Sequence, residues 1–123
     1  VKVNVTAIMT IEQVNQVVQN LNFDVSSYIS VFAGRIADTG IDPIPIMSDV
    51  VILCKSNPMI EIIWASPREL LNIFQAEKIG CQIITATNDI LNKLDLIGYD
   101  LKDFSLDTVK MFYNDALEAG YSI

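Results

Sequence analysis

Histidine is absent from this sequence, and its two cysteines, Cys54 and Cys81, lie far apart without metal-ligand spacing. Because zinc sites are built largely from histidine and cysteine, this scarcity excludes zinc, and we expect neither a metal nor a cofactor. A domain of 123 residues with a sizeable core needs no disulfide to stay folded. We therefore expect a reducing, cytoplasmic location.

Basic residues are also scarce, with eight lysines and arginines against fifteen aspartates and glutamates and a net charge of -7. Such a charge repels phosphate backbones, which argues against nucleic acid and anionic membranes as partners. Long hydrophobic runs are missing too: the apolar stretch at 44–54 is interrupted by Pro45, Ser48 and Asp49. It is shorter than the roughly 20 residues of a membrane-spanning helix. Any anionic ligand must therefore be bound locally.

Apolar residues make up 51% of the chain, enough for one folded domain over residues 1–123. The first residue is valine rather than methionine, and no charged leader precedes an apolar signal segment. We expect these residues to be an excerpt of a longer chain.

Strand and helix patterns alternate along the sequence, since each β-branched or apolar run is followed by apolar residues at helical spacing. Thr10 and Ser66 are placed to cap helices, Glu69 completes a capping box with Ser66, and Gly80 is placed to end a helix. The predicted strands are 1–6, 24–33, 59–65 and 81–85, and the predicted helices are 11–21, 46–55, 67–78, 87–96 and 105–119.

No two successive strands are close enough in sequence to form a hairpin, so the order predicts a parallel α/β sheet with right-handed crossovers. Four such units are half of a (β/α)8 barrel, which takes about 250 residues. An open four-stranded parallel sheet is the other architecture that this length allows.

The chain has two arginines, and each follows a predicted strand. Arg35 comes just after Gly34, where we expect the chain to turn outward into a loop at 36–43, and Arg68 follows Ser66 and Pro67. The carboxyl ends of parallel strands carry the ligand sites of α/β folds. The two guanidinium groups, the Ser66 hydroxyl and the amino end of the helix predicted at Pro67 are therefore expected to converge on one anion, such as phosphate.

Surface carboxylates offer an alternative role for these arginines. Asp38 and Glu69 are close to them in sequence, and each arginine taken singly is more commonly paired with such a group than with a ligand. The shared position at successive strand ends favours the phosphate site.

Asn4 and Thr6 alternate with valines, so both are expected on one side of the first strand, and Ser30 lies similarly on the second. Inside a barrel these groups would need partners, because an unpaired buried amide or hydroxyl costs about 1 to 3 kcal/mol. An ordinary exposed sheet face would carry the same residues.

Three segments, agreeing in order and spacing, resemble the transaldolase family. Residues 1–6, with Asn-x-Thr, resemble its fifth barrel strand; residues 30–35, Ser-Val-Phe-Ala-Gly-Arg, resemble its Ser-Pro-Phe-Val-Gly-Arg; and residues 65–68, Ala-Ser-Pro-Arg, resemble its Ala-Ser-Phe-Arg. The resemblance covers essentially the whole chain and implies strands five to eight, the carboxyl-terminal half of a TIM (β/α)8 barrel. Val31 and Ala33 depart from the pattern, and Trp64 is bulky for a residue near the barrel mouth.

The resemblance implies class I aldol chemistry on sugar phosphates, of the kind used in the pentose phosphate pathway. A lysine would form a Schiff base with a ketose phosphate, and a three-carbon dihydroxyacetone unit would pass to an aldose phosphate. By the same resemblance, Arg35, Ser66 and Arg68 would bind the substrate phosphate.

The remaining site residues are also implied by the resemblance. Asn4 would hydrogen-bond the dihydroxyacetone unit, while Thr6 and Ser30 would position the water that carries protons. Phe32 favours transaldolase over the related fructose-6-phosphate aldolases, which carry tyrosine there; simple core packing would also explain an aromatic residue at this position.

The family's Schiff-base lysine belongs to the fourth strand, which precedes the segment that this chain resembles. Lys2 lies toward the wrong end of its strand, and the other lysines fall on helices or turns, where a solvated ammonium is a poor nucleophile. We expect this stretch to be inactive alone. The lysines on helices or turns are Lys55, Lys78, Lys93, Lys102 and Lys110.

Two functions follow from these residues: the phosphate-binding half of a transaldolase-like enzyme, or a non-catalytic half-barrel that binds sugar phosphates or pairs with another half-barrel. A half-barrel leaves unpaired strand edges and an apolar inner face. We therefore expect a partner, either the amino-terminal half or another subunit, and a homo-oligomer. An open receiver-like sheet would need clustered acids that the first strand lacks. Cys54 and Cys81 are predicted to be small buried hydrophobes.

Overall fold

The computed structural model describes residues 3–21 and 23–120, so the predicted strand positions Val1 and Lys2 lie outside the described residues. The chain forms two compact units, Val1–Leu91 and Asn92–Ile123. In its described part, the first unit contains the sheet and the second contains the last helix.

The sheet consists of four parallel strands that follow one another in chain order. Each strand is followed by at least one helix, as the alternating pattern predicts, so the α/β prediction is confirmed. The strands are β1 Val3–Ile8, β2 Ser27–Val31, β3 Ile60–Trp64 and β4 Ile83–Ile84. The helices of this unit are α1 Ile11–Asn20, α2 Ala33–Asp38, α3 Pro43–Cys54, α4 Leu71–Ile79 and α5 Asn88–Leu91.

Strand order decides between the two architectures that the sequence left open. Right-handed crossovers between strands in consecutive order bring every helix to the same face of the sheet. The contacts agree, because α3 packs against β3 and is flanked by α1, α2 and α4. A doubly wound sheet instead reverses its strand order and carries helices on both faces. This unit therefore has the arrangement of half of a (β/α)8 barrel.

The core lies between the sheet and these helices. Alternate residues of the central strands, including Ile29, Val31 and Ile62, are fully buried there with Met47 of α3. Trp64, the last residue of β3, also lies in this core and is 1% exposed, because its position in the alternation of β3 directs its bulky side chain toward the helices.

The opposite side of the sheet is here called the inner face. The prediction of an apolar inner face is wrong, since polar and apolar residues share it. The strand register places Asn4 beside Tyr28, and Tyr28 beside Glu61, on this face. The inner face comprises Asn4, Tyr28, Ser30, Glu61, Ile63 and Ile83.

Local capping chemistry fixes several helix ends. At α1 the Thr10 hydroxyl accepts from the Gln13 N–H at 3.2 Å, and the Gln13 side chain accepts from the Thr10 N–H at 3.0 Å. This capping box confirms the predicted start. Gly80 ends α4 in the left-handed region at φ 83°, also as predicted.

Other predicted boundaries are wrong. The predicted loop at 36–43 is partly helical, because the carbonyl of Phe32 accepts from the N–H groups of Arg35 and Ile36 and starts α2 there. The next helix begins at Pro43 rather than at 46, because the Asp42 carboxylate accepts from the Ile44 N–H at 2.9 Å. Proline suits the first position of a helix.

The predicted strands at 24–33 and 81–85 are longer than the observed ones. Phe32 already belongs to the start of α2, and the Cys81 N–H donates to Ala76 at the end of α4. The remaining residues of β4, Ile83 and Ile84, are half-buried rather than buried on both faces.

The second unit contains a short 3-10 turn, Leu94–Leu96, and α6, Leu101–Glu118. The helix predicted at 87–96 is thus divided between α5 and this turn. The last helix begins before residue 105 because the Asp100 carboxylate accepts from the backbone N–H groups of Lys102 and Asp103. Within the described residues, no helix is both long and apolar enough to cross a membrane.

Candidate functional site

A polar pair occupies the inner face where β1 and β2 meet. The Ser30 hydroxyl donates to Asn4 Oδ1 at 2.9 Å, across two neighbouring strands. Ser30 is 5% exposed, whereas Asn4 is exposed, so the pair has one buried member and one that a ligand can reach. The structure therefore brings together two of the residues that the sequence singles out.

Thr6 lies in an irregular part of β1. The β1–β2 register shifts between Val5 and Ile8, and Ala7 adopts φ 60°. An extra residue of this kind bends a strand and redirects its side chains. Thr6 is exposed, and its side chain forms no hydrogen bond with any residue that the structure describes. Sequence analysis missed this bulge, because alanine does not signal a left-handed conformation.

Phe32 connects the end of β2 to α2. Its N–H donates to the Ile8 carbonyl at 2.8 Å, which joins the ends of β1 and β2. The residue is half-buried. Phe32 therefore has both a packing role and a position at the carboxyl edge of the sheet.

Gly34 and Ser66 bring the two arginine-bearing segments into contact. The Gly34 N–H donates to the Ala65 carbonyl at 3.3 Å. A Cβ atom at Gly34 would lie only 1.5 Å from the carbonyl oxygen of Ser66. Ser66 itself has φ 58°, a conformation that costs a non-glycine residue on the order of 1 kcal/mol or more. The close approach of α2 to this loop thus requires glycine on one side and a strained backbone on the other.

The predicted capping role of Ser66 is wrong. The following helix, α4, begins at Leu71, and the backbone N–H groups of Arg68 and Glu69 both donate to Asn72 Oδ1 at 2.9 Å. Those N–H groups are therefore not directed at an anion, as a helix beginning at Pro67 would have directed them. Asn72 lies in the first turn of α4 and accepts from N–H groups that precede the helix, as one half of a capping box does. A polar residue at this position is the sequence signal that could have identified it.

Arg68 is paired with a carboxylate from α2. Its Nη2 atom lies 2.9 Å from Asp38 Oδ2, and both side chains are about half exposed. This is the partner that the alternative interpretation named; Glu69 is not one. The hydrogen bond and charge of Arg68, together with the charge of Arg35, hold the pKa of Asp38 below its usual range.

Arg35 is exposed on α2, three residues before Asp38, and it forms no hydrogen bond or ion pair with any described residue. Residues three apart share one face of a helix. The structure therefore assembles a charge cluster, defined here as Arg35, Asp38 and Arg68, beside Ser66. Ser66 is half-buried, and its hydroxyl has no hydrogen-bond partner among the described residues.

Nucleophiles and metal ligands are not gathered at this edge. All the described lysines are exposed, and they lie on helices or turns. Burial raises the pKa of the Cys54 thiol to about 11 and also raises that of Cys81, so neither favours the reactive thiolate. Residues 3–21 and 23–120 contain no cluster of three or more histidine, cysteine, aspartate or glutamate side chains suited to a metal ion.

Comparison with known proteins finds a family match over nearly the whole chain. A model of the family described as Transaldolase/Fructose-6-phosphate aldolase matches residues 1–122. The chain belongs to this family.

Curated relatives carry the same family name. A "Probable transaldolase" from Thermoanaerobacter sp. (strain X514) is 31% identical over 124 aligned residues, covering 100% of this chain and 53% of the relative. A second, from Nitrosopumilus maritimus (strain SCM1), is 31% identical over 91 residues, covering 70% of this chain and 41% of the relative. The chain thus spans about half the length of the transaldolase relatives that it matches.

Membership of the transaldolase/fructose-6-phosphate aldolase family agrees with the half-barrel. Among the described residues, the segments 30–35 and 65–68 lie where β2 and β3 end, at the carboxyl edge that holds the active site in (β/α)8 barrels, and residues 3–6 belong to β1. The structure brings Asn4 together with Ser30 and Arg68 together with Asp38, whose pKa the charge of Arg35 also lowers. It leaves the Thr6 and Ser66 side chains without a hydrogen-bond partner in the described residues.

Proposed function

We propose that these residues form the phosphate-binding half of a transaldolase-like enzyme, which transfers a three-carbon dihydroxyacetone unit between sugar phosphates through a lysine Schiff base. The observation that carries this proposal is the charge cluster. Two guanidinium groups from successive strand ends act on one carboxylate at the edge where such enzymes bind substrate.

Arg35, Ser66 and Arg68 are proposed to bind the substrate phosphate. Arginine offers several N–H donors in a planar fork that matches phosphate oxygens. Arg68 uses one nitrogen for Asp38, and the Ser66 hydroxyl can donate to a further oxygen. In a chain of net charge -7, a local pair of arginines is what makes an anion site feasible.

The inner face is proposed to hold the reacting part of the substrate. Asn4 is exposed and its Oδ1 accepts from Ser30, so its amide N–H groups are proposed to donate to a dihydroxyacetone hydroxyl. Thr6 and Ser30 would position the water that moves protons, and Phe32, between β2 and α2, is proposed as a further site residue.

The Schiff-base lysine is proposed to lie outside these 123 residues. A nucleophilic lysine needs desolvation or a neighbouring cation to become reactive, and every described lysine is exposed on a helix or turn. The amino-terminal half of the barrel, or another subunit, would supply the lysine and would pair with the edge strand β1. Assembly into a homo-oligomer belongs to the same proposal.

The phosphate site is tested by calorimetric titration of the chain with inorganic phosphate. Replacing Arg35 or Arg68 by glutamine should weaken phosphate binding at least about tenfold, because each substitution removes charge-assisted hydrogen bonds. Lys78→Gln is the matched control: it removes the same charge from an exposed position on α4 and should leave the affinity nearly unchanged. Equal losses in all three variants would contradict a local site.

The Schiff base is tested by borohydride reduction in the presence of fructose 6-phosphate, followed by intact mass measurement. A trapped three-carbon adduct on a protein that includes these residues and an upstream segment supports the transaldolase-like enzyme. Retained phosphate binding with no adduct in that longer protein favours the second function, a non-catalytic module that binds sugar phosphates. The exposed position of all described lysines is the observation that keeps this second function open.

A further inference from the structure

The carboxylate of Asp38 lies within the charge cluster, against the guanidinium of Arg68. Asp38 is an exposed carboxylate at the end of α2, and its one hydrogen-bond partner in the cluster is the guanidinium of Arg68. It therefore places a negative charge where two arginines of an acidic chain are available to an anion. We propose that Asp38 is an internal competitor for this site, which lowers the affinity of the site for phosphate; this inference rests on the proposed phosphate-binding function.

The geometry connects Asp38 to both arginines. It follows Arg35 by three residues on α2, so the two side chains emerge from the same face of that helix. Arg68 approaches from the loop after β3, held there by the contact between Gly34 and Ser66. The guanidinium groups of both arginines stabilise the charged form of Asp38, which lowers its pKa. The carboxylate therefore stays ionised at neutral pH.

The ion pair is of a kind that a ligand can displace. A single contact of 2.9 Å joins Arg68 Nη2 to Asp38 Oδ2, and the two side chains are 53% and 54% exposed. Exposed pairs of this type are weak because water and salt screen them. A phosphate carries more negative charge than a carboxylate and accepts forked hydrogen bonds from arginine. Phosphate therefore replaces Asp38 at Arg68, or binds beside it against the repulsion of its charge.

A positioning role for Asp38 predicts the opposite change in phosphate affinity when its carboxylate is removed. If Asp38 served to hold Arg68 in the orientation that binds phosphate, removing the carboxylate would weaken binding. Competition and repulsion both predict stronger binding after its removal. The direction of the change in phosphate affinity thus distinguishes the two roles.

The test is a calorimetric titration of the full chain with inorganic phosphate at low ionic strength, where charge effects are least screened. Asp38→Asn keeps the size of the side chain and removes its charge. We expect its dissociation constant for phosphate to fall about threefold to tenfold. Asp49→Asn is the control, since it makes the same change in net charge at an exposed position on α3 that is not part of the charge cluster.

The outcomes are separable. Stronger binding in Asp38→Asn alone supports internal competition. Unchanged or weaker binding in that variant overturns it, and so does an equal gain in Asp49→Asn, which would reflect only the net charge. In each of these cases phosphate binding by the unmodified chain leaves the proposed function standing. Failure of all three proteins to bind phosphate would overturn both proposals together.

Discussion

Gly34 shows how one residue without a side chain can position two others. It lies in the first turn of α2, where alanine would ordinarily be preferred over glycine by about 1 kcal/mol. Here the absent Cβ allows the Ser66 carbonyl to approach to a distance that no side chain permits. That contact sets the separation between the segments that carry Arg35 and Arg68.

Replacing Gly34 by alanine should therefore lower the free energy of unfolding by about 2 to 3 kcal/mol, despite the better helix propensity, because backbone must move to admit the Cβ. Urea denaturation measures the change. Gly40→Ala is the comparison: a Cβ at Gly40 meets nothing within 4 Å, and only its φ of 84° opposes the substitution. It should cost about 1 kcal/mol. A Gly34→Ala variant as stable as the parent chain would contradict the contact.

At the scale of an element, the start of α4 likewise depends on one residue, Asn72. The segment from Ser66 to Leu70 is not helical, although it contains a serine, a proline and a glutamate at capping-box spacing. Asn72 reaches back to the N–H groups of Arg68 and Glu69 and so satisfies donors that an earlier helix start would have left exposed. The position of Arg68 therefore depends on a side chain in the first turn of the helix that follows it.

Asn72→Ala should lower the free energy of unfolding by about 1 to 3 kcal/mol, since two backbone donors lose their acceptor in a partly buried place. Asn72→Asp retains the acceptor oxygen and should cost less. Amide hydrogen exchange provides the local readout: the Arg68 and Glu69 N–H groups should exchange faster in the alanine variant and remain protected in the aspartate variant. Unchanged protection in Asn72→Ala would show that other groups hold this segment.

For the molecule as a whole, the two faces of the sheet differ in how they are covered. The consecutive strand order places α1, α3 and α4 on one side, and the other side carries the inner face with its Asn4–Ser30 pair. Two adjacent residues of β3 lie on opposite faces of the sheet. Ile62 is fully buried against the helices, whereas Ile63 on the inner face is half-buried.

This difference gives a matched pair of substitutions. Ile62→Ala should lower the free energy of unfolding by about 3 kcal/mol, because it removes buried volume and leaves a cavity. Ile63→Ala should cost about 1 kcal/mol, since less of that side chain is removed from water. Chemical denaturation of the two variants measures both values. Equal costs would mean that the inner face is as closely packed as the helical face.

Much of the fold follows from local patterns. The alternation of strands and helices, the capping box at Thr10 and the helix end at Gly80 were predictable, because each depends on a few neighbouring residues. The helical start at Phe32 and the bulge at Ala7 were not predictable in this way. The bulge depends on the register between β1 and β2, and at the start of α2 the Phe32 N–H donates to the Ile8 carbonyl of a different strand, so neither is set by local spacing alone.

For the candidate site, the sequence by itself determined that two arginines follow successive strands, that a parallel sheet brings those strand ends to one edge, and that three motifs resemble one family. These properties follow from residue order and the geometry of parallel strands. Only the tertiary structure decided that Ser30 bonds to Asn4, that Gly34 contacts Ser66 and that Arg68 pairs with Asp38. Each of these contacts joins residues more than twenty positions apart, where the choice of partner depends on packing across the sheet rather than on local spacing.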